Sequence, residues 1–187
     1  MHDLTNVDWS QIPAPENDGA AEHLTGTKVV DATLPATDGS RVNLSRLPGL
    51  GVVYIYPMTG RPDIAQPYGW DGIPGARGCT AQSCAFRDHA EDLRRSGVRS
   101  VFGLSVQDTD YQKEAVGRLH LPFPLLSDSD LAFATRMRLP TFDVNGVTLL
   151  KRVTLIIEDG LVAHTFYPVF PPDRNAQAVL DWINSRN

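Results

Sequence analysis

Cysteine is scarce in this sequence: its 187 residues carry only two, Cys79 and Cys84. Two thiols cannot staple a small secreted fold, which excludes a disulfide scaffold. Long apolar runs are missing too. None approaches the roughly 18 residues that a membrane-spanning helix needs. Positive charge is in deficit, with 17 Lys and Arg against 22 Asp and Glu and a net charge of −5. A nucleic-acid binder would carry the opposite balance. The opening Met1-His2-Asp3-Leu4-Thr5-Asn6 has neither the basic patch nor the apolar stretch of a signal peptide, so a reducing cytoplasm is expected. What remains, 42% apolar and 21% charged residues, suits one ordinary globular domain.

Residues 1–25 are polar and mixed, and read as an extension ahead of a domain over 26–187. Beyond them the punctuation is regular. Val29 to Leu34 and Val42 to Leu44 flank Asp38-Gly39, a turn pair that predicts an N-terminal β-hairpin. Gly51-Val52-Val53-Tyr54-Ile55-Tyr56, closed by Pro57, reads as a central strand buried on both faces. Val98 to Leu104 and Val153 to Ile157 read alike, and Asp159-Gly160 turns the last of these into a second hairpin. Helices are predicted over 79–95, from Thr109 (in capping-box spacing with Gln112) to Leu119, over 129–138, and after Pro171-Pro172. This order of elements predicts an α/β fold, a central mixed sheet flanked by helices.

Residues 57–78 break the pattern, with nine Pro or Gly among 22. A loop of that length in a compact domain is usually functional, and it follows the carboxyl end of a strand, where α/β sites form. Its Tyr68 and Trp70 suit either a lid or an anchor. Stepping 100° per residue from Cys79 puts Phe86, Ala90 and Leu93 on the same inward stripe, and Cys84 about 140° away. Cys79 then stands at the start of its helix, where free amides, the helix dipole and nearby Arg77 all favour a thiolate. Residues five apart on a helix have Cα atoms about 8.7 Å apart, beyond the roughly 7 Å a disulfide tolerates. Bridging would therefore require the first turn to unwind. Two core thiols are the plain alternative. A metal site is disfavoured because Cys79, Cys84 and His89 face three sides of the helix.

The stretch Gly78-Cys79-Thr80-Ala81-Gln82-Ser83-Cys84-Ala85-Phe86-Arg87-Asp88 resembles the active-site segment of the bacterioferritin-comigratory, or peroxiredoxin Q, type of peroxiredoxin. Tyr56-Pro57, Val101 to Ser105 with Asp108, Leu121 to Asp128, and Arg152 to Ile157 with Asp159-Gly160 extend the similarity over residues 24–186. The resemblance implies a thioredoxin-like fold and a thiol-dependent peroxidase acting on hydrogen peroxide and small organic hydroperoxides. It implies a peroxidatic Cys79 whose sulfenic acid Cys84 resolves as an internal disulfide. It further implies Arg152 beside the thiolate, a substrate side formed by Tyr56, Pro57, Gly78 and Thr80, and an external thiol reductant of thioredoxin or glutaredoxin type. No metal, flavin or haem is called for, and a monomer or a homodimer would serve. One departure stands out. The family's Thr three residues before the cysteine is Ala76 here, and the Pro seven before is Gly72. Thr59 is the favoured replacement hydroxyl, with Thr80 the alternative. A redox sensor or binding module on the same fold is the rival function.

Overall fold

The computed structural model describes residues 7–186; the Met1–Asn6 stretch lies outside the described residues. Its frame is β3 (Leu50–Ile55), whose run of buried side chains marks it as the middle of the sheet. β4 (Val98–Ser105) pairs parallel to one side of it, and β8 (Val153–Glu158) antiparallel to the other. β5 (Leu125–Ser127) and β9 (Leu161–Phe166) close the two edges, so the order is β5-β4-β3-β8-β9. The expected mixed sheet is therefore present.

Side-chain alternation along β3 divides the core in two. Val53 and Ile55 pack with Leu104, Leu126, Leu155 and Phe133 on one face. That face is covered by α4 (Ala132–Met137), by the hairpin of β1 (Thr33–Pro35) and β2 (Arg41–Asn43), and by Ala21 and Leu24. Val52, Tyr54 and Tyr56 point the other way, towards α1 (Cys79–Asp88), α3 (Thr109–Leu119) and α5 (Asn175–Asn184). Tyr54 stacks flat on Phe86 of α1, with centroids 4.5 Å apart and planes 8° apart, and donates a hydrogen bond to Ser83. That contact fixes the height of α1 over β3.

Several expectations need adjustment. The helix over 79–95 is interrupted at His89 (φ −96°, ψ 3°), where the imidazole engages the Ala85 carbonyl, and it resumes as α2 (Ala90–Arg95). The cap of α3 is Asp108 rather than Thr109: its carboxylate accepts from the Tyr111 amide. The helix expected over 129–138 opens later, at Ala132, because the Asp128 carboxylate accepts from the Phe133 and Ala134 amides. Two features went unpredicted, the short strand β5 and a hairpin of β6 (Thr141–Val144) and β7 (Val147–Leu150). The hairpin matters because Trp70, Ala76, Val144 and Leu149 form a third apolar cluster that seats the long loop. Trp70 is thus the loop's anchor, ringed with Phe142, while Tyr68 is fully exposed. No helix among the described residues is long and apolar enough to cross a membrane.

Close packing beneath α1 gives a direct test. A Cβ on Gly103 would lie 2.5 Å from Leu125 Cδ2 and 2.7 Å from the Tyr54 ring and hydroxyl. Gly103→Ala is expected to lower stability by about 1–3 kcal/mol, the usual cost of overpacking, read as a lower urea midpoint. An unchanged midpoint would mean that Tyr54 yields freely.

Candidate active site

Strand alternation and one loop assemble the site. Arg152 precedes β8, two residues before Thr154 and four before Ile156, so it shares their face, the one covered by α1. Leaving β3, the chain crosses the Trp70-anchored loop and enters α1 through Gly78, whose φ of 104° favours glycine. Cys79, the first residue of α1, consequently arrives over the amino end of β8.

Arg152 Nη2 donates to Cys79 Sγ at 3.3 Å, and both residues are 3% exposed. The same nitrogen reaches the carbonyls of Gly75 (3.3 Å), Ala76 (3.3 Å) and Arg77 (3.1 Å). Nη1 donates to Gln82 Oε1. Gln82 Nε2 donates to Asn175 Oδ1 (2.9 Å), which also accepts from the Thr154 hydroxyl (2.6 Å). The guanidinium thus rests on neutral acceptors. Among the described residues no carboxylate pairs with it, and its Nε is buried without a partner. The thiol itself donates to the Ala76 carbonyl at 3.6 Å. The carbonyl and amide dipoles around Arg152 leave the cation's full charge beside the sulfur. Arg77, expected near the thiol, pairs its guanidinium with Asp71 and lends its carbonyl to Arg152.

Cys84 lies further along α1, half-buried, and both cysteines are free. Burial pushes its thiol up from the ordinary range, with Arg87 pulling the other way. Thr59 is fully buried. Its amide and hydroxyl both donate to Gln107 Oε1, at 2.9 and 3.1 Å, and its carbonyl accepts from Gln107 Nε2 and the Tyr111 hydroxyl. Thr80, Tyr56, Pro57 and Gly78 are buried as well, and burial pushes the Tyr56 phenol up. Outside Arg152 a cavity of about 450 Å³ opens, walled by Pro15, Ile73, Pro74, Phe142 and Pro168, with Glu16, Asp18 and Lys151 also lining it.

Sequence reasoning thus places Cys79, Cys84 and Arg152 within this region, and the structure brings Cys79 and Arg152 into contact. It missed Gln82, Asn175, Thr154 and Gln107. For Gln82 a signal existed: it stands three residues after Cys79, on the same side of the helix. His164 stacks on Trp182.

The redoxin family profile matches residues 24–180. The chain is 32% identical over 162 residues to a putative chloroplastic peroxiredoxin Q of Oryza sativa subsp. indica, covering 86% of this chain and 66% of that relative. It therefore spans just under two thirds of that relative's length. Peroxiredoxin Bcp of Escherichia coli (strain K12) is 29% identical over 156 residues, 81% of this chain and 89% of its own. Among solved structures, peroxidoxin BcpB from Mycobacterium tuberculosis superposes with a TM-score of 0.70 at 25% identity, covering 87% of this chain and 97% of that one. The architecture is thioredoxin-like in all these respects.

Because burial disfavours the Cys84 thiolate, alkylation of this residue in a Cys79→Ser variant is expected to rise with pH around a midpoint above that of an unperturbed thiol. Iodoacetamide rates followed by intact mass measure it. An ordinary midpoint would mean that Cys84 is not desolvated.

Proposed function

The chain belongs to the redoxin family, as a peroxiredoxin of the Q/Bcp type, and on that premise we propose that it is a thiol-dependent peroxidase with Cys79 as its peroxidatic residue. The observation that carries this reading is the 3.3 Å contact between Cys79 Sγ and a buried guanidinium unshared by any described carboxylate. The thiolate attacks the terminal peroxide oxygen. An S–O bond forms, the O–O bond breaks, and two electrons pass from sulfur to ROO–H. The departing alkoxide takes a proton to leave as ROH, with sulfenic acid on Cys79. Arg152 holds the thiolate, and its unpartnered Nε offers a donor to a peroxide oxygen; an unmatched buried N–H costs about 1–3 kcal/mol until met.

Cys84 is the resolving residue in this reading. Its thiol condenses with the sulfenic acid, forming the disulfide and expelling water. An external dithiol of thioredoxin or glutaredoxin type then returns both sulfurs to thiols while being oxidised itself. Both cysteines lie on one helix, so a monomer suffices and a homodimer serves equally. Two free thiols suit a reducing compartment such as the cytoplasm. Hydrogen peroxide and small organic hydroperoxides are the substrates, the apolar wall beside Arg152 suiting the organic body of the latter. Tyr56, Pro57, Gly78 and Thr80 are assigned to the substrate side on the family resemblance and on their burial.

Thr59 is assigned the hydroxyl role that Ala76 cannot fill. It follows Pro57 by two residues, and Gln107 fixes its orientation at both the amide and the hydroxyl. With its proton given to Gln107, the oxygen keeps lone pairs to accept a peroxide O–H.

Rapid mixing of the reduced protein with hydrogen peroxide, followed by intact mass, tests the assignment. Wild type is expected to reach the internal disulfide. Cys84→Ser should stop at sulfenic or higher oxides, and Cys79→Ser should be inert. Oxidation of wild type no faster than free cysteine would overturn the peroxidase reading. In the same assay Thr59→Val should lose about tenfold to a hundredfold in the first oxidation rate, the scale of a misplaced reactant. An unchanged rate would pass the role to Thr80.

A further inference from the structure

The segment ahead of residue 24, outside the matched family region, touches the site at three places. Trp9 occupies the space over Gly78: a Cβ there would lie 2.6 Å from Trp9 Cη2 and 2.7 Å from Pro172 Cγ. The indole is held in turn, edge-on to Phe170 and donating from Nε1 to Asp173 Oδ2 at 2.9 Å. Further along, Pro15 lies 3.4 Å from the corresponding point on Gly75, whose carbonyl accepts from Arg152. Asp18 then closes the segment down, accepting from Lys151 Nζ (2.6 Å) and the Tyr167 hydroxyl (2.7 Å), which together hold its carboxyl well below the usual range.

The disulfide step gives this arrangement its meaning. Helical geometry keeps the Cα atoms of Cys79 and Cys84 about 8.7 Å apart, so the first turn of α1 must open before the sulfurs bond. Opening moves the Gly78 peptide, and Trp9 and Pro172 occupy the space beside it. We propose that Trp9 is a positioning residue that latches the first turn of α1 and sets how long the oxidised Cys79 waits before Cys84 reaches it. This rests on the peroxidatic reading of Cys79.

Two fates compete while the latch is shut or open. Opened, it lets the Cys84 sulfur attack the Cys79 sulfenic sulfur: the S–S bond forms, the S–O bond breaks, and hydroxide leaves with the thiol proton as water. Shut, it leaves the sulfenic acid to a second peroxide molecule, which gives sulfinic acid and ROH. The latch is poised rather than locked. Among the described residues Asp173 Oδ1 is buried without a partner, a cost that opening to water relieves.

Rapid-quench alkylation and intact mass on wild type, Trp9→Ala and Trp9→Phe separate the two steps. Trp9→Ala is expected to speed disulfide formation about tenfold, equivalent to about 1.4 kcal/mol of released holding. It should also lower the sulfinic fraction at excess peroxide and leave the peroxide-dependent first step unchanged. Trp9→Phe keeps a ring over Gly78 but loses the bond to Asp173, and should fall between; it stands alone as the test if Trp9→Ala does not fold. Disulfide formation no faster than wild type in the variants, or both steps slowed together, would overturn the latch. A wild type that shows no peroxide-dependent first step would overturn the peroxidase reading, and the latch with it.

Discussion

The rest of the site depends on a buried guanidinium that no carboxylate among the described residues pairs with. Taking a charge out of water costs several kcal/mol unless other groups compensate. Around Arg152 that compensation comes from dipoles: three consecutive loop carbonyls at Gly75, Ala76 and Arg77, and the Gln82 side-chain oxygen. Dipoles leave the net charge intact. A carboxylate in the same place would neutralise it and compete with Cys79 for its donors. The neutral cradle is therefore the arrangement that reserves the cation for Cys79.

That constraint explains elements distant from the sulfur. Three successive carbonyls converge on one nitrogen only if residues 75–77 are held against the amino end of β8, and the Trp70 cluster on the β6–β7 hairpin does this. Gln82 must present its oxygen, not its amide nitrogen, to Arg152. Asn175 enforces that orientation by accepting from Gln82 Nε2 while also accepting from Thr154. A chain of four polar residues, Arg152 just ahead of β8 with Thr154, Gln82 and Asn175 from β8, α1 and α5, thus fixes the sense of one amide. Among the described residues, Arg152 Nε is the donor that this network leaves unmatched.

The sequence was legible wherever one physical pattern dominated. The unbroken apolar run before Pro57 read as a central strand, and the 100° step around α1 put Cys79 inward, as observed, and Cys84 outward, whereas the structure half-buries it against the core. It was illegible where a tertiary partner decided the outcome. The β6–β7 hairpin carries exposed Thr141, Asp143 and Val147, a weak alternation that gains meaning only once Trp70 packs on Val144 and Leu149. His89 looked like helix interior until its imidazole took up the Ala85 carbonyl. Residues 1–25 read as a polar extension, because Ala21 and Leu24 are too few to show a period. Yet both enter the core, and Trp9 reaches the start of α1.

Gly78 joins these threads. It caps α1 at a positive φ, and it has no side chain in the space that Trp9 and Pro172 fill. The first property places Cys79 at the amide-rich end of a helix. The second admits a large ring against the peptide that the proposed disulfide step would move. A side chain at this position would strain the turn and expel the indole at once. One glycine therefore couples the placing of Cys79 beside Arg152 to the packing over the first turn of α1.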